Sequence, residues 1–115
     1  MKINVLFVCS KNKWRSPTAE KVFSKHAVIS PRSRGTGRDA RQKISSSDIE
    51  WADIVFVMEE KHKKRVLKEF PEEVKFKELY VLDIPDDYRY MDDELVDIFN
   101  ECVPSILHSR LLSGK

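Results

Sequence analysis

Two apolar runs, Ile3-Asn-Val-Leu-Phe-Val8 and Asp53-Ile-Val-Phe-Val-Met58, constrain this chain most. Each is rich in β-branched and aromatic residues, has little polar alternation, and is too short for a stable helix. That pattern belongs to strands buried on both faces, as in a parallel sheet covered by helices. Leu79–Leu82 reads as a similar strand, and Ala27–Ser30 as a shorter one ended by Pro31. Helical spacing fills the intervals. Pro17 suits a first helical position, and Ala19, Val22 and Phe23 follow on one face to about His26. Ser45–Ser47 caps a short helix through Trp51. Val66, Leu67 and Phe70 share a face of a helix ending near Pro71. Asp92 caps a last helix with Leu95, Val96, Ile98, Phe99 and Cys102 inward, kinked at Pro104. Strands alternating with helices imply right-handed βαβ units. The expected fold is therefore α/β: a four-stranded parallel sheet, doubly wound, in a flavodoxin-like three-layer sandwich. At 115 residues the chain makes a single domain, 1–115.

In such sheets ligands bind beyond the carboxyl ends of the strands. Cys9, the loop around Gly35, Met58-Glu59 and Asp86 all fall there, so the fold gathers them at one edge. The first loop is the richest chemically. Cys9 ends the buried strand, Arg15 follows six residues later, and Ser16-Pro17 opens a helix. Backbone N–H groups of residues 10–15 have no strand or helix partner and form an anion cradle at a helix start. A cysteine at its floor is a nucleophile whose thiolate is favoured. Arg15 offers a planar fork for two phosphate oxygens, and Ser16 is placed to donate to the sulfur. Asn12 suits the loop because asparagine tolerates left-handed backbone. A general acid must come from elsewhere. Ile-Pro-Asp-Asp-Tyr after the fourth strand offers Asp86 and Asp87 beside Tyr88, while Asp83 lies nearer the strand; on local grounds all three compete.

The net charge is only +2, which excludes a general polyanion binder, and no nucleic-acid partner is expected. The cations are clustered, with Lys11, Lys13 and Arg15 around the first loop and Arg32, Arg34, Arg38, Arg41 and Lys43 after the next strand. The second cluster reads equally as a steering field or a solvated face. Two cysteines, Cys9 and Cys102, make no disulfide framework, which favours a reducing cytoplasm. Ile3–Val8 is too short to span a membrane and no cleavage site follows it, so neither a signal peptide nor a membrane partner is expected. His26, His62 and His108 lack metal-ligand spacing and read as surface or helix-end residues. No metal or other cofactor is called for. Cys102 reads as a buried structural thiol.

Val-Cys-Ser-Lys-Asn-Lys-Trp-Arg-Ser-Pro resembles the phosphate-loop signature of the low-molecular-weight protein tyrosine phosphatases. Other segments match in order: Ser33-Arg-Gly-Thr36, Ala40-Arg-Gln42 before the Asp53–Met58 strand, and Ile84-Pro-Asp-Asp-Tyr88. The resemblance implies a phosphocysteine intermediate on Cys9, phosphate binding by Arg15, and Asp86 as the acid. Ser10, Lys11, Asn12, Lys13, Trp14 and Ser16 would surround the substrate, with Tyr88 as a further aromatic surface. Asn12 would stiffen the loop with Ser33 as partner. The implied substrate is a phosphorylated protein or a small phosphomonoester; the oligomeric state is not legible in the sequence, and a monomer is the default expectation.

Four departures bear on the site, one of them Asp87, which replaces the proline after the acid and adds a negative charge beside it. Lys11 stands where the family usually has glycine, so either strain or a different loop shape is expected there. Trp14 replaces a second cysteine, which removes a protective disulfide. The connection between Thr36 and Ala40 is shorter than usual, which should open one wall. A degenerate phosphate- or phosphoprotein-binding module is the competing reading from another class. An arsenate reductase-like protein is a weaker one, since Cys102 alone cannot relay a disulfide.

Overall fold

The computed structural model describes residues 2–113. Four strands, β1 (Ile3–Cys9), β2 (Ile29–Gly35), β3 (Ile54–Val57) and β4 (Glu78–Val81), form one parallel sheet in the order β2-β1-β3-β4. The helices are α1 (Arg15–Val22), α2 (Ser46–Trp51), α3 (Glu60–Glu69), α4 (Pro71–Val74) and α5 (Asp93–Ser113). The sheet order places the β1/β3 boundary at its centre, so the loops after these two strands meet in the middle of the C-terminal edge.

Alternation along the central strands divides the core. Val5, Phe7, Cys9, Ile54, Phe56 and Met58 face one layer with Ala19 and Phe23 of the α1 segment and Leu95, Phe99, Val103 and Leu107 of α5. Leu6, Val8, Val55 and Val57 face the other, with Ile49 of α2, Val66 of α3 and Val74 of α4. Phe7 is the aromatic hub, stacked on Phe23 at 5.9 Å and Phe56 at 5.7 Å and edge-on to Phe99 at 6.1 Å. Its complete burial puts the cost of truncation to alanine at about 3–5 kcal/mol.

Several elements differ from the sequence expectation. β2 does not stop at Pro31 but runs on to Gly35, with Pro31 paired opposite Val5. It is the sheet's edge strand, where proline's missing N–H can face away from the ladder. Its residues alternate between buried Ser33 or Gly35 and half-exposed Arg32 or Arg34, so no apolar run marks it. α1 starts at Arg15 rather than Pro17, and proline is tolerated because first-turn N–H groups have no helical acceptor. Leu67 is 44% exposed, so the inner face of α3 is His62 and Val66 instead. α5 passes unbroken through Pro104, with Val96 and Cys102 only half-buried. No helix among the described residues is long and apolar enough to cross a membrane.

The second basic cluster is partly internal wiring. Arg32 and Arg34 both pair with the buried Asp48, at 3.0 and 3.2 Å, and Arg32 also lies over Trp51. Asp48 in turn accepts the N–H of Ser45 ahead of α2 at 3.0 Å. Those two arginines therefore fasten β2 to α2 and are not free to steer a ligand.

Candidate active site

The loop from Ser10 to Trp14 leaves β1 at the sheet centre and is held from below by the β2–α2 connection. Thr36 N–H donates to the Cys9 carbonyl at 2.9 Å, Gly37 N–H to Ser10 at 2.8 Å and Arg41 N–H to Lys11 at 3.0 Å. Because a trans peptide sets its N–H opposite its C=O, the amides of Ser10, Lys11 and Asn12 are turned the other way. Among the described residues, no protein acceptor takes the N–H groups of Ser10 through Trp14. The close approach explains Gly35. A Cβ there would lie 2.7 Å from the Ser10 carbonyl oxygen and 2.9 Å from the Asn12 nitrogen, both immovable backbone.

Asn12 takes the left-handed turn the loop requires, with φ of 55°. Its side-chain amide donates to Ser16 Oγ and to Ser33 Oγ, each at 3.0 Å, the latter being the expected partner. Ser33 passes the chain on by donating to Glu20. Lys11 keeps a negative φ, so lysine in place of glycine causes no backbone strain, contrary to one of the two sequence expectations. Ser16 Oγ lies 3.0 Å from Cys9 Sγ. The side chains of Asn12 and Ser16 are buried behind the thiol and do not line the cavity in front of it, which leaves Asn12 only its backbone amide to offer a ligand.

Arg15 is 2% exposed, deep for a guanidinium. Its Nη1 donates to Glu59 Oε1 and to the Ile84 carbonyl, both at 2.7 Å. Nε faces Asp86 Oδ1 at 3.6 Å. With Nη1 committed to protein, the Nε/Nη2 edge is the fork left for a ligand. Burial works against ionisation of Glu59, but the hydrogen bond and charge of Arg15, helped by Lys61, hold its carboxyl below the usual range.

His62 stands at a helix end, one of the two expected positions, but it is buried and joined to the first loop. It is 1% exposed, in the first turn of α3. The Glu59 N–H donates to Nδ1 at 2.9 Å, which places the ring proton on Nε2, and Nε2 lies 2.9 Å from Ser10 Oγ. The imidazole therefore donates to Ser10 and leaves that hydroxyl its own proton to give. Burial, then the positive charge of Arg15, pushes the His62 pKa down to about 4. Glu59 follows β3 and starts α3, and it also anchors Arg15, a contact that its local sequence does not announce. The available signal for both residues was position: each follows β3 at the edge where ligands collect.

In front of the thiol lies a cavity of about 230 Å³ lined by Cys9, Ser10, Lys11, Lys13, Trp14, Arg15, Lys61 and Asp86. Of the three competing carboxylates, Asp86 alone lines it. Asp83 takes a left-handed turn and borders a separate hollow, while Asp87 is exposed outside. Tyr88 is also outside: it packs against the core beside α5 and donates to Glu94 at 3.0 Å. The shortened Thr36–Ala40 connection supports the loop from below and forms no wall of the cavity. Trp14 is half-buried and lines the cavity with the Lys13 ammonium 5.0 Å from its ring centre.

No protein-family model matches the sequence, and no curated protein matches it at a significant level. Solved structures do match. A low-molecular-weight phosphotyrosine phosphatase from Vibrio cholerae O395 superposes with a TM-score of 0.74 and 20% identity, over 98% of this chain and 99% of that one. One from Streptococcus pyogenes gives 0.73 and 23% identity, over 98% and 95% of the two chains. The fold is that of the low-molecular-weight protein tyrosine phosphatases. The YwlE arginine phosphatase from Geobacillus stearothermophilus shares it, with a TM-score of 0.71 and 18% identity over 96% and 97%.

Proposed function

We propose that this chain is a metal-independent phosphomonoester hydrolase acting through a phosphocysteine on Cys9. The observation that carries the reading is convergence: a buried thiol, partnerless loop amides, a half-committed buried arginine and one carboxylate border a single small cavity. Binding a phosphate needs neither the thiol nor the carboxylate, so their presence favours catalysis over a binding module. The kinship of fold with tyrosine and arginine phosphatases supports the same class.

In the first step Cys9 Sγ attacks phosphorus, the S–P bond forms and the ester P–O bond breaks. Asp86 gives its proton to the departing oxygen. Ser16 Oγ–H donates to the thiolate, and Ser10 Oγ–H is free to donate to a phosphoryl oxygen. The loop amides and the Nε/Nη2 edge of Arg15 hold the equatorial oxygens, where charge is spread in the transition state. In the second step Asp86 takes a proton from water, which attacks phosphorus; the S–P bond breaks and inorganic phosphate leaves. Phosphorylated proteins and small phosphomonoesters are the substrate class, and the free thiols Cys9 and Cys102 fit a reducing compartment such as the cytoplasm.

Turnover of p-nitrophenyl phosphate in the presence of a chelator tests this. Wild type should hydrolyse it, and Cys9→Ser should not, while still binding vanadate. Anion binding by wild type with no turnover would convert the reading to a binding module.

A further inference from the structure

Beyond Trp14 lies a second, larger hollow of about 550 Å³, separated from the first only by the shared side chains of Lys13 and Trp14. Lys21 on the outer face of α1 and Arg41 from the β2–α2 connection line it, with the half-exposed ring of Tyr90. Its one acidic lining residue, Glu20, is turned to Ser33 by the hydrogen bond that continues the Asn12 chain. Among the described residues, Lys13, Lys21 and Arg41 form no ion pair, whereas Arg32, Arg34 and Lys43 nearby all do. Like charges left unpaired around one concavity repel one another, and an anion placed among them relieves that. The hollow is also more than twice the volume of the first, too large to serve only the leaving group of a small ester.

We propose that this hollow is a subsite for an acidic side chain next to the phosphorylated residue of a peptide. The phosphoryl group enters the smaller cavity, the chain crosses Trp14, and a carboxylate settles between Lys21 and Arg41. The aromatic walls of Trp14 and Tyr90 take the intervening aliphatic carbons. Selection for acidic neighbours is then built into the molecule, independent of the loop that holds the phosphate. The inference rests on the hydrolase reading only for what fills the smaller cavity.

The test measures affinity rather than turnover, with Cys9→Ser protein and two fluorescent nonapeptides. Both contain one phosphotyrosine; one has glutamate at the flanking positions and the other glutamine. The acidic peptide should bind about tenfold tighter at low salt, with the gap closing as salt rises. In Lys21→Glu/Arg41→Glu on the same background the gap should fall within twofold. The milder Lys21→Gln/Arg41→Gln pair should narrow it about threefold. Both pairs should keep the circular dichroism and the cooperative thermal unfolding of the parent protein, which shows that they fold. Equal affinity for the two peptides, a preference that survives the double variants, or no binding of either peptide would overturn the subsite. If the preference appears but wild type hydrolyses nothing, the hydrolase reading fails and the subsite stands.

Discussion

His62 couples the loop's geometry to pH, and the size of that coupling follows from its burial. Its pKa falls from 6.5 in an exposed chain to about 4 in the fold. Above pH 6.5 both folded and unfolded forms carry a neutral ring, so the residue adds no pH dependence. Between 6.5 and about 4 the unfolded chain takes up a proton that the folded chain refuses, so stability falls as pH falls. At about 1.36 kcal/mol per pH unit the loss totals roughly 3 kcal/mol by pH 4 and then levels off. His62→Gln removes this titration. At pH 7 it should cost about 1–2 kcal/mol, through the acceptor lost to Glu59 N–H and the donor lost to Ser10. The two stability curves should therefore approach as pH falls and cross at roughly pH 5.5, below which the variant is the more stable protein. Urea unfolding of both proteins across pH 7 to 4, compared at equal slope, reads the difference with other carboxylates cancelled. A gap that stays constant or widens toward pH 4 would mean that His62 takes up its proton in the fold, so that Nδ1 does not accept the Glu59 N–H.

Gly35→Ala forces a methyl against the Ser10 carbonyl and Asn12 nitrogen; it should cost about 1–3 kcal/mol in thermal unfolding and weaken phosphate binding together. Arg15→Lys should fail almost as badly in kcat/KM as Arg15→Ala, since an ammonium can satisfy Glu59 but cannot also present a two-pronged edge. Recovery of most activity by lysine would refute the clamp. Asp86→Asn should lower kcat by about 10²–10⁴ for poor leaving groups and far less for p-nitrophenolate. Asp83→Asn and Asp87→Asn should show small effects with no leaving-group dependence, and a leaving-group signature at either would move the acid.

The central strands were legible because burial on both faces leaves an unbroken apolar run, as at Ile3–Val8 and Ile54–Val57. β2 was half-legible, because an edge strand carrying Pro31 and the polar Ser30, Arg32, Ser33 and Arg34 has no such run. The first loop was read as a unit, since Cys9, Arg15 and Ser16 are near one another in sequence. Its long-range supports were harder. The Asn12–Ser33 pair came through the resemblance, but Glu59 and His62 contact the loop across 44 and 52 residues, through pairs no local spacing announces. Lys11 illustrates the converse: the sequence suggested strain, while the left-handed turn falls on Asn12 and leaves lysine an ordinary backbone. Tyr88 was expected as an aromatic surface of an opened pocket, yet its ring packs against the core and its hydroxyl is claimed by Glu94 at the start of α5.

The covalent step on Cys9 is the centre of the account, and acid-quenched mass spectrometry during p-nitrophenyl phosphate turnover tests it most directly. The peptide containing Cys9 should carry one phosphoryl group, absent from Cys9→Ser and lost when substrate is exhausted. Sustained turnover with Cys9 unmodified at every quench time, or with the phosphoryl group on another residue, would contradict it.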